Sequence, residues 1–155
     1  MNPWALLWSN DRYYLYGYDI KEKDGVLSEK NYRVDKLDNI RLSNVPRAGK
    51  SQFRAFNANT YVSRRMGMFS GKEKEITVKI PDVLVGPFID QFGKRIIISE
   101  YTEEDVLVTF HAVASVILLG WLLGLRYAEV LGPPSVRDDM IGLIKQNMEI
   151  YSKKN

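Results

Sequence analysis

From Val106 to Leu125 the chain runs for twenty residues without a formal charge, and the fate of that stretch constrains the whole fold. Roughly twenty apolar residues are enough to cross a bilayer as a helix. The pattern inside the stretch argues against a span. Thr109, His111 and Ser115 interrupt it, and its periodicity changes halfway. Leu107-Val108-Thr109-Phe110-His111 alternates as a strand does, whereas Val116 to Leu123 is a compact apolar block with Gly124 behind it. Arg126 and Glu129 follow without the cluster of positive charge that flanks many spans. The expectation is a strand over Val106–Val113, then a buried helix capped by Ser115 and closed by Gly124, with no membrane partner.

Around that stretch the second half of the chain reads as mixed. Glu75 to Ile80 alternates as a strand. Val83 to Phe92 reads as a helix, which Pro87 requires to start near Val85 or to kink. Arg95–Tyr101 reads as a strand joined to Val106–Val113 by an acidic turn, and Tyr127–Leu131 as a short last strand. After Pro133-Pro134, Ser135 and Asp138 have capping-box spacing, and Val136, Met140, Leu143, Ile144 and Tyr151 form an apolar stripe on a terminal helix. The order β-α-β-β-α-β is that of a ferredoxin-like sandwich.

The first seventy residues read as β-rich. Trp4 to Trp8 is apolar and Ser9-Asn10-Asp11 is a turn signal. Arg12 to Tyr18 is a strand with Tyr14, Tyr16 and Tyr18 on one face and Tyr13, Leu15 and Gly17 on the other. Lys21 to Gly25 is a polar connection ending in the hairpin marker Asp-Gly. Tyr32-Arg33-Val34-Asp35 resumes the alternation, and the phase then breaks at Leu37 and Ile40, three apart, which suggests a bend or a helical turn. A short helix is expected over Asn57–Met66, capped by Asn57 or Asn59. The boundary between a domain over 1–70 and one over 71–155 is read at Met66 to Gly71. The fold class is α+β.

Composition removes several chemistries. With no cysteine in 155 residues there are no disulfides, thiolates or Cys-ligated metals. This fits a reducing compartment, so the cytoplasm is the expected location, although a secreted chain can also lack cysteine. Met1-Asn2-Pro3-Trp4 does not read as a secretory leader. His111 is the only imidazole, and a lone His on a strand beside Phe110 reads as structural. Glu103, Glu104 and Asp105 read as a solvated turn. Gly120 and Gly124 give a GxxxG spacing that carries weight mainly in membranes. No nucleophile, base and oxyanion hole can be assembled, so no catalytic residue, metal or cofactor is expected and the chain is not read as an enzyme.

Charge is unevenly placed. Arg41, Arg47, Lys50, Arg54, Arg64 and Arg65 share a segment without Asp or Glu; it carries +6 in a chain of net charge +3, so the rest sums to −3. Phe53, Phe56 and Tyr61 are interleaved with these cations. Cations and stacking rings together suit single-stranded nucleic acid. On composition alone, core rings and solvated cations are the stronger reading.

Two strings shift that balance. Arg12-Tyr13-Tyr14-Leu15-Tyr16-Gly17-Tyr18-Asp19 and Tyr32-Arg33-Val34-Asp35-Lys36-Leu37, in this order, resemble the name-giving and second motifs of the WYL-domain family of bacterial transcriptional regulators. Pro3 upstream fits as well. Leu118-Leu119-Gly120-Trp121-Leu122-Leu123-Gly124-Leu125, then Glu129-Val130-Leu131-Gly132-Pro133 and the helix ending at Tyr151, resemble the WCX extension that follows many such domains. The resemblance implies a partial SH3-like β-barrel followed by a ferredoxin-like α/β sandwich. It implies the sensing half of a dimeric regulator whose effector is single-stranded DNA or RNA, or a nucleotide. Its pocket residues map to Tyr14, Tyr18, Arg33 and Lys36, with Asp35 orienting the cations and with Arg41 and Arg47 of the basic segment beside them. Two departures are visible: the helix-turn-helix that reads promoter DNA is absent, and the chain starts after the strand that usually opens the barrel. An unpaired edge completed by a partner chain is therefore expected. The competing expectation is a structural dimerisation or protein-interaction module without a ligand of its own.

Overall fold

A computed structural model of the protein describes residues 1–20 and 25–153. The polar connection Lys21 to Asp24, expected to supply the Asp-Gly turn, lies outside the described residues. The chain divides into two compact units, Met1–Ser70 and Gly71–Asn155, each built on its own antiparallel sheet. The fold class is thus α+β.

In the first unit β1 (Asn2–Ser9), β2 (Arg12–Ile20) and β3 (Leu27–Arg33) form an open meander in the order β1-β2-β3. It is not a closed barrel. Asn10 and Asp11 join β1 to β2, both with positive φ, as a two-residue turn matched to strand twist requires. Strand alternation puts Leu7, Tyr14, Tyr16 and Tyr18 on the buried face. Against that face pack Phe53 of α1 (Lys50–Phe53), Phe56, and Tyr61 and Val62 of α2 (Ala58–Ser63), together with Met68. Asn57 caps α2 by accepting from the Thr60 amide at 2.9 Å. Tyr32 and Arg33 end β3, and Val34–Lys36 is a single 3-10 turn closed by Leu37 N–H to Val34 O. The expected strand alternation through Asp35 therefore stops two residues early.

The segment from Leu37 to Gly49 has no regular structure but is stitched to β1. Trp4 Nε1 donates to Ala48 O at 2.8 Å, and Ala48 N–H donates to Asn2 Oδ1 at 2.9 Å. Gly49 ends this segment at φ 95°, where a Cβ would stand 2.4 Å from the Tyr18 ring. Gly49→Ala therefore combines a left-handed alanine with an overpacked core, and chemical denaturation should show a loss of about 2–4 kcal/mol.

The second unit has the order β4 (Glu73–Pro81), α3 (Val85–Phe92), β5 (Ile97–Glu100), β6 (Asp105–Val113), α4 (Val116–Gly124), β7 (Glu129–Gly132), α5 (Pro134–Ser152). The sheet runs β5-β6-β4-β7, with every neighbour antiparallel. It follows that β4 and β5 are parallel to each other, as are β6 and β7, each pair linked through a helix. Two βαβ crossovers are thus interleaved in one sheet. Ile76, Val78 and Ile80 of β4 and Val108, Phe110 and Ala112 of β6 share the buried face with Phe88, Phe92, Leu118, Leu119 and Leu122 of the helices.

The uncharged stretch is a strand and a separate nine-residue helix, and among the described residues no helix is long and apolar enough to cross a membrane. Ser115 caps α4, accepting from Leu118 N–H. Gly124 does not close it: the helix runs through Gly124, and the left-handed residue is Arg126 at φ 65°. The Ser135–Asp138 capping box also fails to form. Proline at the first helical position needs no donor, so α5 begins at Pro134 and Ser135 is already inside it, accepting instead from Lys74 Nζ at 2.9 Å. Along α5 only Val136 and Met140 of the expected stripe are buried; Ile144 and Tyr151 are exposed.

Candidate anion-binding rim of the first unit

Strand register brings the two aromatic-basic strings together. Tyr14 pairs with Arg33 and Leu15 with Tyr32 across β2 and β3. The 3-10 turn then folds Asp35 back onto Arg33. Arg33 Nε donates to Asp35 Oδ1 at 3.0 Å and Nη2 to Oδ2 at 2.6 Å, a two-pronged carboxylate fork. The Arg33 hydrogen bonds hold the Asp35 carboxyl below its ordinary range, Arg12 adds to this, and the same fork raises Arg33. Asp35 is therefore the organiser of Arg33, but through a turn and not through a shared strand face. Lys36 follows it and is exposed.

The tyrosines are placed differently from the expectation. Tyr14 and Tyr18 are only 7% and 4% exposed, so neither presents the open phenol expected of a ligand contact. Inward-facing rings on a half-buried sheet are core, and these two pack with Tyr16 because the α1–α2 segment covers their face. The ring that β2 leaves open is Tyr13, packed edge-on against Trp8.

The basic segment is also sorted by packing. Phe53, Phe56 and Tyr61 are core or packed against it: Tyr16 stacks on Phe56 with centroids 4.3 Å apart, and Phe53 lies between Phe56 and Trp4. They are not free platforms for bases. Arg65 is buried against the Tyr61 ring, 3.8 Å from its centroid, with Glu29 3.8 Å from its Nη2. Arg47 lies over Trp4 and donates to Pro3 O at 2.9 Å, so it is anchored to β1. Arg41, Lys50 and Arg54 are exposed.

Beneath the rim runs a phenol network that the strings did not announce. Tyr16 Oη donates to Glu29 Oε1 at 3.0 Å and shares a 2.9 Å hydrogen bond with Tyr18 Oη, while Asn31 Nδ2 donates to Tyr61 Oη at 2.9 Å. Burial raises the Tyr16 phenol pKa strongly, reinforced by Tyr18 and Glu29, and burial raises Tyr61 as well. The signal for Glu29 and Asn31 was alternation in β3, which turns both toward the tyrosine face.

In the second unit His111 is half-exposed, with Nε2 3.4 Å from Glu75 Oε2 on a neighbouring strand. Glu103 and Glu104 are exposed in a turn that Thr102 Oγ1 organises by accepting from Glu104 and Asp105 N–H. Among the described residues no group of three or more His, Cys, Asp or Glu is placed to hold a metal ion. Comparison with family models finds no match, and no curated protein matches the chain.

Proposed function

We propose that the protein is the ligand-sensing part of a bacterial transcriptional regulator of the WYL type, binding an anionic effector on the rim of its first unit. The observation that carries this reading is the Arg33–Asp35 fork beside Tyr14. A guanidinium held at Nε and Nη2 keeps its Nη1 donors outside the fork, in a fixed plane suited to a phosphate oxygen. Exposed Lys36 adds an adaptable charge, and Arg12 and Arg41 extend the positive field. The effector class is a single-stranded oligonucleotide or a nucleotide, held through phosphate and not through stacking, since the rings of the basic segment are occupied by the core. On this reading Tyr14 and Tyr18 act from below, by fixing the strand that positions Arg33. The first unit is then the open remnant of an SH3-like barrel. The second, with two interleaved βαβ crossovers, is a ferredoxin-like sandwich, and the chain works in the cytoplasm as a dimer, without catalysis or cofactor.

The test is a titration with a fluorescent single-stranded oligonucleotide at two salt concentrations. Affinity should fall steeply with salt. Arg33→Ala should abolish measurable binding, and Lys36→Ala should reduce the slope of log affinity against log salt by about one. Both variants should keep the wild-type circular dichroism, because both side chains lie at the surface. Binding that ignores salt, or that both variants retain, rejects the reading in favour of an interaction module without a ligand. That alternative draws on the exposed apolar residues Leu6, Trp8 and Tyr13 on the outer face of the first sheet.

A further inference from the structure

Between the 3-10 turn that ends β3 and the start of α1, the chain is held at both ends and free in its middle. At one end Leu37 N–H donates to Val34 O at 3.1 Å. At the other, Ala48 is bonded through both its main-chain groups to Asn2 and Trp4, and Arg47 donates to Pro3 O at 2.9 Å. From residue 40 to residue 44, in contrast, no main-chain N–H or C=O has a hydrogen-bond partner among the described residues. Aliphatic side chains stand out from the same stretch: Ile40 is 74% exposed, Leu42 102% and Val45 75%. One exposed leucine means little, but three aliphatic side chains on a strap tied down at both ends form a patch that marks an interaction site. Connections of this length without regular structure are uncommon in compact domains and are mostly functional. Cations surround the patch: Lys36, Arg41, Arg47, Lys50 and Arg54, with Asp38 as the only acid between Lys36 and Arg54.

We propose that this strap is a docking strand for an acidic, extended segment of a partner protein, which pairs with its main chain and covers its aliphatic side chains. Free N–H and C=O groups are what strand addition uses, and alternate side chains then give specificity. Ile40 and Leu42 are two apart and fall on one side of a paired strand, with Arg41 and Ser43 on the other. The partner therefore presents apolar residues on one side and carboxylates on the other, and the cations around the patch set the sign. Because both ends of the strap are already fixed, little chain entropy is lost when the middle is ordered. Other occupants fit less well. Single-stranded nucleic acid is held by stacking on rings, and residues 37–49 contain no aromatic side chain. A bilayer leaves unpaired main-chain groups without partners, and the strap has no Trp or Tyr to sit at its interface. The chain's own acidic run, Glu103-Glu104-Asp105, has no apolar residue between its carboxylates, so it does not supply the match from a second copy. This inference stands whether or not the rim of the first unit binds an anion.

The experiment titrates the full chain into a fluorescent peptide of alternating valine and glutamate, read by anisotropy, with hydrogen exchange on the complex. The glutamate peptide should bind, its valine-lysine counterpart should not, and the amides of residues 40–44 should gain protection. Ile40→Ser and Leu42→Ser should each weaken peptide binding at least about tenfold, the lower end for losing a buried aliphatic contact. Both should keep the wild-type circular dichroism and oligonucleotide binding, because both side chains are exposed. Arg41→Glu should turn the preference toward the lysine peptide. A glutamate peptide that does not bind at about 1 mM, the weak end of measurable affinity, overturns the proposal. So does binding that leaves those amides unprotected or that ignores Leu42→Ser. Leu42-dependent binding of phosphatidylserine vesicles in place of the peptide would give the strap to a lipid surface, and Leu42-dependent self-association would give it to a second copy. Loss of oligonucleotide binding in Leu42→Ser would make it part of the rim. Each of these three results also overturns the proposal.

Discussion

Tyr16→Ala should destabilise the first unit by about 3–5 kcal/mol, the range for deleting a buried aromatic ring, and so leave it largely unfolded. Tyr16 is 1% exposed and is the hub of its core, stacked on Phe56, edge-on to Tyr61 and Tyr18, and bonded through its hydroxyl to Tyr18 and Glu29. A sheet of three strands has few other large side chains with which to refill such a cavity. Loss of hydrogen-exchange protection in β1, β2 and β3 is the measurement, and retained protection would show that the ring is not the hub. Tyr16→Phe separates the two contributions. It keeps the stacking and strands one lone pair of Glu29, and should cost only about 1–2 kcal/mol.

The same phenol sets a pH limit. Its pKa is raised in the folded protein, so the neutral form that folding requires is secure below the unfolded value near 10. Stability is therefore fully present at neutral pH and declines as pH rises above about 10. Tyr61 is raised in the same direction. An alkaline titration followed by tyrosinate absorbance should show late, cooperative ionisation coupled to unfolding of the first unit. Tyr16→Phe should make that coupling weaker.

Phe88→Ala should be the corresponding lesion in the second unit, again about 3–5 kcal/mol. Phe88 is fully buried and touches Phe92, Phe110 and Trp121, with centroids 5.0 Å apart for the last pair. It joins α3, β6 and α4, so its loss opens the layer between the helices and the sheet. Hydrogen exchange in β4 and β6 and a lowered denaturation midpoint are the readouts. A substitution at Val83 makes a useful contrast, since that side chain is 79% exposed and should cost no more than about 0.5 kcal/mol.

Much of the local structure was legible because it rests on short-range rules. The turn at Ser9-Asn10-Asp11, Ser115 as a cap, Asn57 as one of the two asparagines offered as a cap for α2, the start near Val85 that was one of two ways to accommodate Pro87 in α3, and the strand-then-helix reading of the uncharged stretch all follow from propensities acting within a few residues. The errors also have local causes. Ser135 and Asp138 had the right spacing for a cap, but Pro134 takes the first helical position and moves the cap to Pro133. Gly124 looked like a terminator, yet the helix has room for it and Arg126 adopts the left-handed conformation instead. For the candidate site, the strings identified Arg33 and Asp35 correctly as neighbours, while Tyr14 and Tyr18 went to the core.

Strand β2 shows where the division lies. By itself the sequence determined that β2 has a tyrosine face and a mixed face, because the side-chain period of a strand is two and needs no partner to hold. It could not determine which face meets water, since Tyr is at home on either side of a sheet. Only the α1–α2 segment, packing Phe53, Phe56 and Tyr61 over Tyr14, Tyr16 and Tyr18, buried that face and left the rim to Arg33 and Lys36. Strand order in the second unit belongs to the same class. The alternation of β4 to β7 is written residue by residue, but the order β5-β6-β4-β7, and with it the open β5 edge, arises from pairings between residues dozens of positions apart. Such contacts are chosen by the burial of the whole apolar set at once, not by any one segment.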